Sequence, residues 1–237
     1  SVPKTTDDTK GTLGVDLVFH CFDDFEPISI VRQVPETLEL YLQRGRLRDF
    51  LAKLDGNDDL VELIEDILGD KKRRDALKDV FVAAKDALNK ARELDDAAER
   101  SDAVNSAIDK KSRAKGSDLD LLLEAGKMVL EDSQVPYAIE LIAEFFTQFV
   151  ESGVISAGSS DELPNLGGLV SGRVATLDGS ISRQLNYIIH HEEFQALEAS
   201  WRGLNYLVMN TETGASLKIK VLNATFEELY KDLDKAV

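Results

Sequence analysis

Three histidines, one cysteine and a large surplus of carboxylates are the first side chains in this sequence to weigh for chemistry. His190 and His191 are adjacent and are followed by Glu192 and Glu193. Imidazole and carboxylate together are the ligands of a hydrolytic metal, so a metal-dependent hydrolase is one reading. The spacing is poor for it. Neighbouring residues point apart, whereas a metal pair on a helix wants ligands at i and i+4. The other reading is a helix junction with its imidazoles at the surface. Cys21 lies in the apolar run VFHCF and reads as a packed or half-buried thiol. With 44 acidic residues in the chain, no carboxylate pair is informative. Gly167-Gly168 and Gly172 lack both the P-loop Lys-Ser/Thr and the dinucleotide glycine pattern. There is no G-x-S-x-G nucleophile elbow and no Cys-His spacing of note. We therefore expect no catalytic, cofactor-binding or metal-binding residue and no enzyme.

Charge narrows the partners. The chain has 237 residues and a formal net charge of −16. Phosphate backbones and anionic membrane surfaces both require a basic footprint, so nucleic acid and membrane are not expected. No run approaches the ~20 apolar residues of a membrane span. A single cysteine excludes an internal disulfide and fits a reducing compartment. No signal peptide opens the chain, and Ser1-Val2-Pro3 reads as interior sequence.

The elements follow from periodicity. Leu13, Val15, Leu17 and Phe19 alternate, which predicts a strand over 13–22. Asp23-Asp24-Phe25-Glu26-Pro27 turns the chain, and Pro35 opens a helix whose Leu47, Phe50, Leu51 and Leu54 fall at i, i+3, i+4, i+7. Further helices are expected from Asp58 to Leu68 and from Lys71 to about Arg100. Large apolar residues nearly vanish between Ala103 and Gly116, so we divide the chain into 1–105, a linker at 106–116, and 117–237. After the cap pair Ser117-Asp118 come helices at 117–130, 136–150, 166–190 and 193–209, with a loop at 152–165. Thr211 to Gly214 turn, and Leu217, Ile219 and Val221 predict a half-buried strand over 217–222. Thr225 and Glu228 form a capping box on a last helix. No internal repeat is visible. The fold class is mainly α with a small β component (α+β). Trp201, among Leu197, Leu204 and Leu207, reads as a core anchor, and Trp201→Ala should then cost about 3–5 kcal/mol. The apolar helix Leu119-Asp120-Leu121-Leu122-Leu123-Glu124 follows the linker directly. It reads either as a core helix or as a tethered segment that lays one face into a partner's groove.

Two stretches carry a resemblance. LGVDLVFHCFDDFEPISIVRQVPETLELYLQRGRLRDFLAKLDG, with its DDFEP and R-Q-V-P motifs, resembles the C-terminal half of the small subunit of the bacterial type VI secretion contractile sheath. LDLLLEAGKMVLEDS, then EFQALEASWRGLNYLV and NTETGASLKIKVLN, resembles the N-terminal region of the large sheath subunit. The chain looks like a small-subunit fragment joined to a large-subunit fragment. The resemblance implies a small/large heterodimer with helical packing, neighbouring protomers laced by donated strands, a sheath around an inner tube protein, and a bacterial cytoplasmic location. It implies a subunit interface at Leu38, Leu42, Leu47, Phe50, Leu51, Leu54 and Trp201. It implies further that a sheath-recycling AAA+ unfoldase of the Clp/Hsp100 type seizes the 117–130 helix through Leu119, Leu121, Leu122, Leu123, Glu124 and Met128. On that view Leu122→Asp abolishes unfoldase binding with little loss of stability. A competing reading is a helical adaptor that binds the unfoldase while its two halves ignore each other.

Overall fold

Two prolines start the helical body. Pro27 opens α1 (Pro27–Gln33) and Pro35 opens α2 (Pro35–Leu54), where a missing N–H costs nothing. The corner between them is locked by Thr37, whose buried hydroxyl lies 3.0 Å from the carbonyls of both Val31 and Val34. The computed structural model describes residues 1–5, 11–92, 94, 96–108, 112–155, 165–222 and 224–235. Asn57 caps α3 (Asp58–Gly69) by accepting from the Leu60 N–H. α4 (Lys71–Arg92) follows. Asp96 caps α5 (Ala97–Ala107), and Ser117 caps α6 (Asp118–Asp120), which widens into a π-helical turn over Leu121–Ala125. α7 (Val135–Phe145) also ends in π-helical geometry, over Phe146–Glu151. α8 (Leu166–Ile189), α9 (Glu192–Met209) and α10 (Phe226–Lys235) complete the chain. The capping box on α10 forms as expected, with the Thr225 N–H 2.8 Å from a Glu228 carboxylate oxygen and the Glu228 N–H 3.3 Å from the Thr225 hydroxyl.

The main core runs through α2 to α8 and centres on α7. Ala138, Ile139, Leu141, Ile142, Ala143 and Phe145 are all buried, so α7 is covered on every side. The Phe50 ring stacks on Phe145 at 4.9 Å, and Phe81 meets Phe146 at 5.4 Å. A second cluster joins Val2, Leu13, Phe25, Ile30 and Val34 to Ile188 and Phe194.

The fold is mainly α, and its β component is smaller than the sequence predicted. Among the described residues only β1 (Val2–Pro3) and β2 (Thr12–Leu13) pair, antiparallel, with Val2 opposite Leu13. The expected strand over 13–22 stops at Leu13. Its alternation is real, since Val15, Leu17 and Phe19 turn inward while Gly14, Asp16 and Val18 face out. No ladder exists there, and Val18 donates its N–H to the Gln33 side chain instead, at 2.8 Å. The expected strand over 217–222 is not formed either, and Leu217, Val221 and Leu222 are exposed rather than half-buried. A strand needs a neighbour, and none of the described residues supplies one. The helix expected over 71–100 breaks at Arg92, because Asp96 caps a new one. The polar stretch from Ala103 starts inside α5 and places Val104 and Ile108 in the core. Positions 109–111 of the expected linker and 156–164 of the expected loop lie outside the described residues. Cys21 is exposed, not packed: it sits at the edge of a 3-10 turn over Phe22–Phe25, beyond the inward alternation.

Candidate functional site: the seam between residues 1–105 and 117–237

α2 packs against α7 and α8, so the residues expected at an interface can be placed directly. Leu47, Phe50 and Leu54 are buried in the main core, and Leu51 packs on it from the edge. Leu38 is half-buried. Leu42 is 45% exposed. It lies five residues before Leu47, about 140° around the helix from it, and so misses the packed stripe.

The seam also holds buried charge. Glu140 and Glu144, one turn apart on α7, are both almost fully buried. Arg46 of α2 donates through Nε to Glu144 at 2.7 Å, with side-chain exposures of 8% and 4%. Arg100 of α5 grips Glu140 with two N–H···O bonds, 2.8 and 3.1 Å long. Arg92, at the end of α4, lies 3.8 Å from Glu140 and 3.7 Å from Glu144. Burial pushes the Arg92 guanidinium below its ordinary pKa, and the nearby Arg46 charge adds to this. Its buried Nε has no hydrogen-bond partner. Arg100 is shifted up by its bond to Glu140. Nearer the rim, Arg44 pairs with Asp178 at 2.8 Å, and Lys85 with Glu151 at 2.9 Å. Tyr137 donates to Asp49 at 2.6 Å; burial, then that bond, hold its phenol well above the usual range.

These charged partners were missed at the sequence level, although a signal existed. Two carboxylates at i, i+4 inside YAIELIAEFF, a helix otherwise apolar all round, must meet buried cations.

The 117–130 segment is built into the core. Leu119, Leu122, Leu123 and Met128 are buried, Leu121 is partly covered, and Glu124 is exposed. Polar bonds to the first half fasten it. Arg73 of α4 pairs with Asp118 at 2.7 Å and also with Asp66. Asn57 donates its side-chain N–H to the Gly126 carbonyl at 2.8 Å, and Lys127 pairs with Asp59 at 2.6 Å. Of the two readings of this helix, the packing is that of a core helix. Leu122→Asp would therefore bury an unpaired charge, and the expectation of little lost stability is reversed.

Trp201 is corrected as well. Its own-helix neighbours Leu197 and Leu207 are largely exposed, and the indole is half-buried. It sits 6.0 Å from Phe25, which stacks on Phe19 and meets Phe194 edge-on. Arg202 pairs with Glu198 and lies 5.6 Å from the Phe22 ring. The Phe25 of DDFEP and the Trp201 of WRG therefore meet. His190 ends α8, its ring nitrogen 2.9 Å from the Asn186 carbonyl. His191 stands 3.8 Å from Glu193. Among the described residues no three His, Cys, Asp or Glu side chains converge on a metal-sized site.

Residues 1–81 match a protein family described as type VI secretion system, VipA, VC_A0107 or Hcp2. Residues 171–237 match a family described as EvpB/VC_A0108, tail sheath N-terminal domain. Over 62 residues, 26% of this chain, the sequence is 55% identical to the type VI secretion system sheath protein TssC1 of Pseudomonas aeruginosa. The match spans 12% of that relative's length. No solved structure matches the chain.

Proposed function

We propose that this chain is a type VI secretion system sheath protein, supported by the VipA match at one end and the tail-sheath N-terminal match at the other, and that it embodies the contact between small and large sheath subunits. In this reading residues 1–105 are the small-subunit part, 106–116 the junction and 117–237 the large-subunit part. The pair polymerises with neighbouring protomers around an inner tube in the bacterial cytoplasm and contracts. Its role is mechanical, and the matched families are structural sheath components. One observation carries the proposal. Leu47, Phe50 and Leu54 from one part and Leu119, Ile139 and Phe145 from the other share a single core. An adaptor whose halves ignore each other would not need that core. The unfoldase contact through Leu119, Leu121, Leu122, Leu123, Glu124 and Met128 then requires the segment to leave its packed position first, so recognition would report the state of the sheath.

Two measurements test this. A protease site placed at 109–111 and cut after folding should leave one particle of 26.2 kDa by light scattering. Separation into two pieces would overturn the subunit-contact reading. Co-expression with complete small and large sheath subunits should place the tagged chain in sheaths seen by electron microscopy. Exclusion from every sheath would overturn the building role while leaving the contact intact.

A further inference from the structure

The charges that cross the seam are sorted by side. Arg44, Arg46, Arg73, Lys85, Arg92 and Arg100 all lie before residue 105, and their partners across the seam, Asp178, Glu144, Asp118, Glu151 and Glu140, all lie after 117. Among the described residues two contacts to a carboxylate run the other way, Lys127 with Asp59 and Tyr137 with Asp49. The first is more than half exposed on both sides, and the second is a neutral donor. Around the buried Glu140 and Glu144 the sorting is complete among the described residues: Arg46 of α2, Arg92 of α4 and Arg100 of α5, with side chains 8%, 18% and 38% exposed, surround the two glutamates on one face of α7.

Buried ion pairs contribute little net stability, because desolvation offsets most of the attraction. Breaking one side of such a pair, or facing like charges across it, is far more costly than the pair is favourable. That asymmetry acts on partner choice. Two copies of the arginine face would set six cations against each other, and two copies of α7 would bury four carboxylates. The apolar stripe around them would tolerate either error, since Leu, Ile and Phe fit many neighbours. The charges do not.

We propose that Arg46, Arg92 and Arg100 with Glu140 and Glu144 form a selection key. The arginine face accepts a helix bearing two carboxylates one turn apart and rejects a second copy of itself. The inference rests on the reading that the two parts are segments of different subunits.

Reciprocal reversal in full-length chains tests it. One variant carries Arg46→Glu, Arg92→Glu and Arg100→Glu; the other carries Glu140→Arg and Glu144→Arg. Each alone should lose the folded monomer, with melting lowered by about 10 °C or more. Refolded together, they should form a mixed one-to-one dimer in which the native arginine face of the second variant meets the carboxylate helix of the first, and the glutamate face of the first meets the arginine-bearing helix of the second. A third chain carrying all five changes should recover the monomer. Recovery by mixing or in the third chain supports the key. It is overturned if either single-sided variant melts like the native chain, or if neither pairing restores a fold. This outcome is independent of sheath incorporation, which can fail while the key holds.

Discussion

At the residue scale, Tyr137 gives the clearest handle on the seam. Its folded-state pKa is raised above the ordinary tyrosine value, first by burial and then by its bond to Asp49. A raised value favours the protonated phenol in the folded chain. Its stabilising contribution is therefore complete below the unfolded value of about 10, and is lost as pH rises toward the folded one. Melting temperatures taken across the alkaline range should fall less steeply for Tyr137→Phe than for the native chain. Equal slopes would show that Asp49 and burial do not act on this phenol. Trp201 carries a second prediction. Half-buried and resting on Phe25, it should lose about 1–2 kcal/mol on change to Ala, the sum of one aromatic contact and partial burial, not the larger loss of a core indole. The midpoint and slope of urea unfolding followed by circular dichroism measure this; a loss above about 3 kcal/mol would restore the core assignment. The sequence placed Trp201 among leucines of its own helix. It could not show that two of those face away and that the real neighbour is Phe25, 176 positions earlier in the numbering.

The elements divide into those with a stripe and those without. α2, α3, α8 and α9 were legible because each repeats apolar side chains at helical spacing, and the stripe is local information. α1 was missed, being seven residues long. The 13–22 and 217–222 segments were misread for one reason. Alternation specifies an inward face but not the strand that must lie beside it. The 117–130 segment shows a further limit, because nothing in LDLLLEAGKM says whether its leucines meet this chain or another. Its packing can be tested at Gly126. A Cβ there would fall 2.6 Å from the Leu122 carbonyl oxygen and 2.8 Å from a Leu60 methyl, so backbone must move. Gly126→Ala should cost about 1–3 kcal/mol, and Leu122→Ala about 2–5 kcal/mol. Denaturant unfolding that leaves both variants at native stability would place the segment outside the core, free for a partner.

Over the whole molecule, cohesion is uneven, and that unevenness is itself testable. From α2 to α8 the chain closes around the main core, with charge sorted across its seam. Beyond the middle of α9 the packing fades. Tyr206, Met209, Val221, Leu222, Phe226 and Leu233 are each more than half exposed, and α10 buries no residue. The match to the tail sheath N-terminal domain family runs through this region. Local stability follows burial and hydrogen bonding, so the two regions should open with very different free energies. Between Ala215 and Leu222 the backbone forms no ladder, and Gly214 to Leu217 and Ala224 to Leu222 are short turn bonds. Amides from 215 to 222 should exchange with solvent at rates close to those of an unfolded peptide. Amides of α7 from Ile139 to Phe145 should exchange orders of magnitude more slowly, through global unfolding. Equal protection in the two regions, unchanged on dilution, would mean that 217–222 pairs within its own chain. Protection that vanishes on dilution would mean that a second copy supplies the missing neighbour. Either result would replace the uneven molecule described above with one whose C-terminal strand finds its partner in solution.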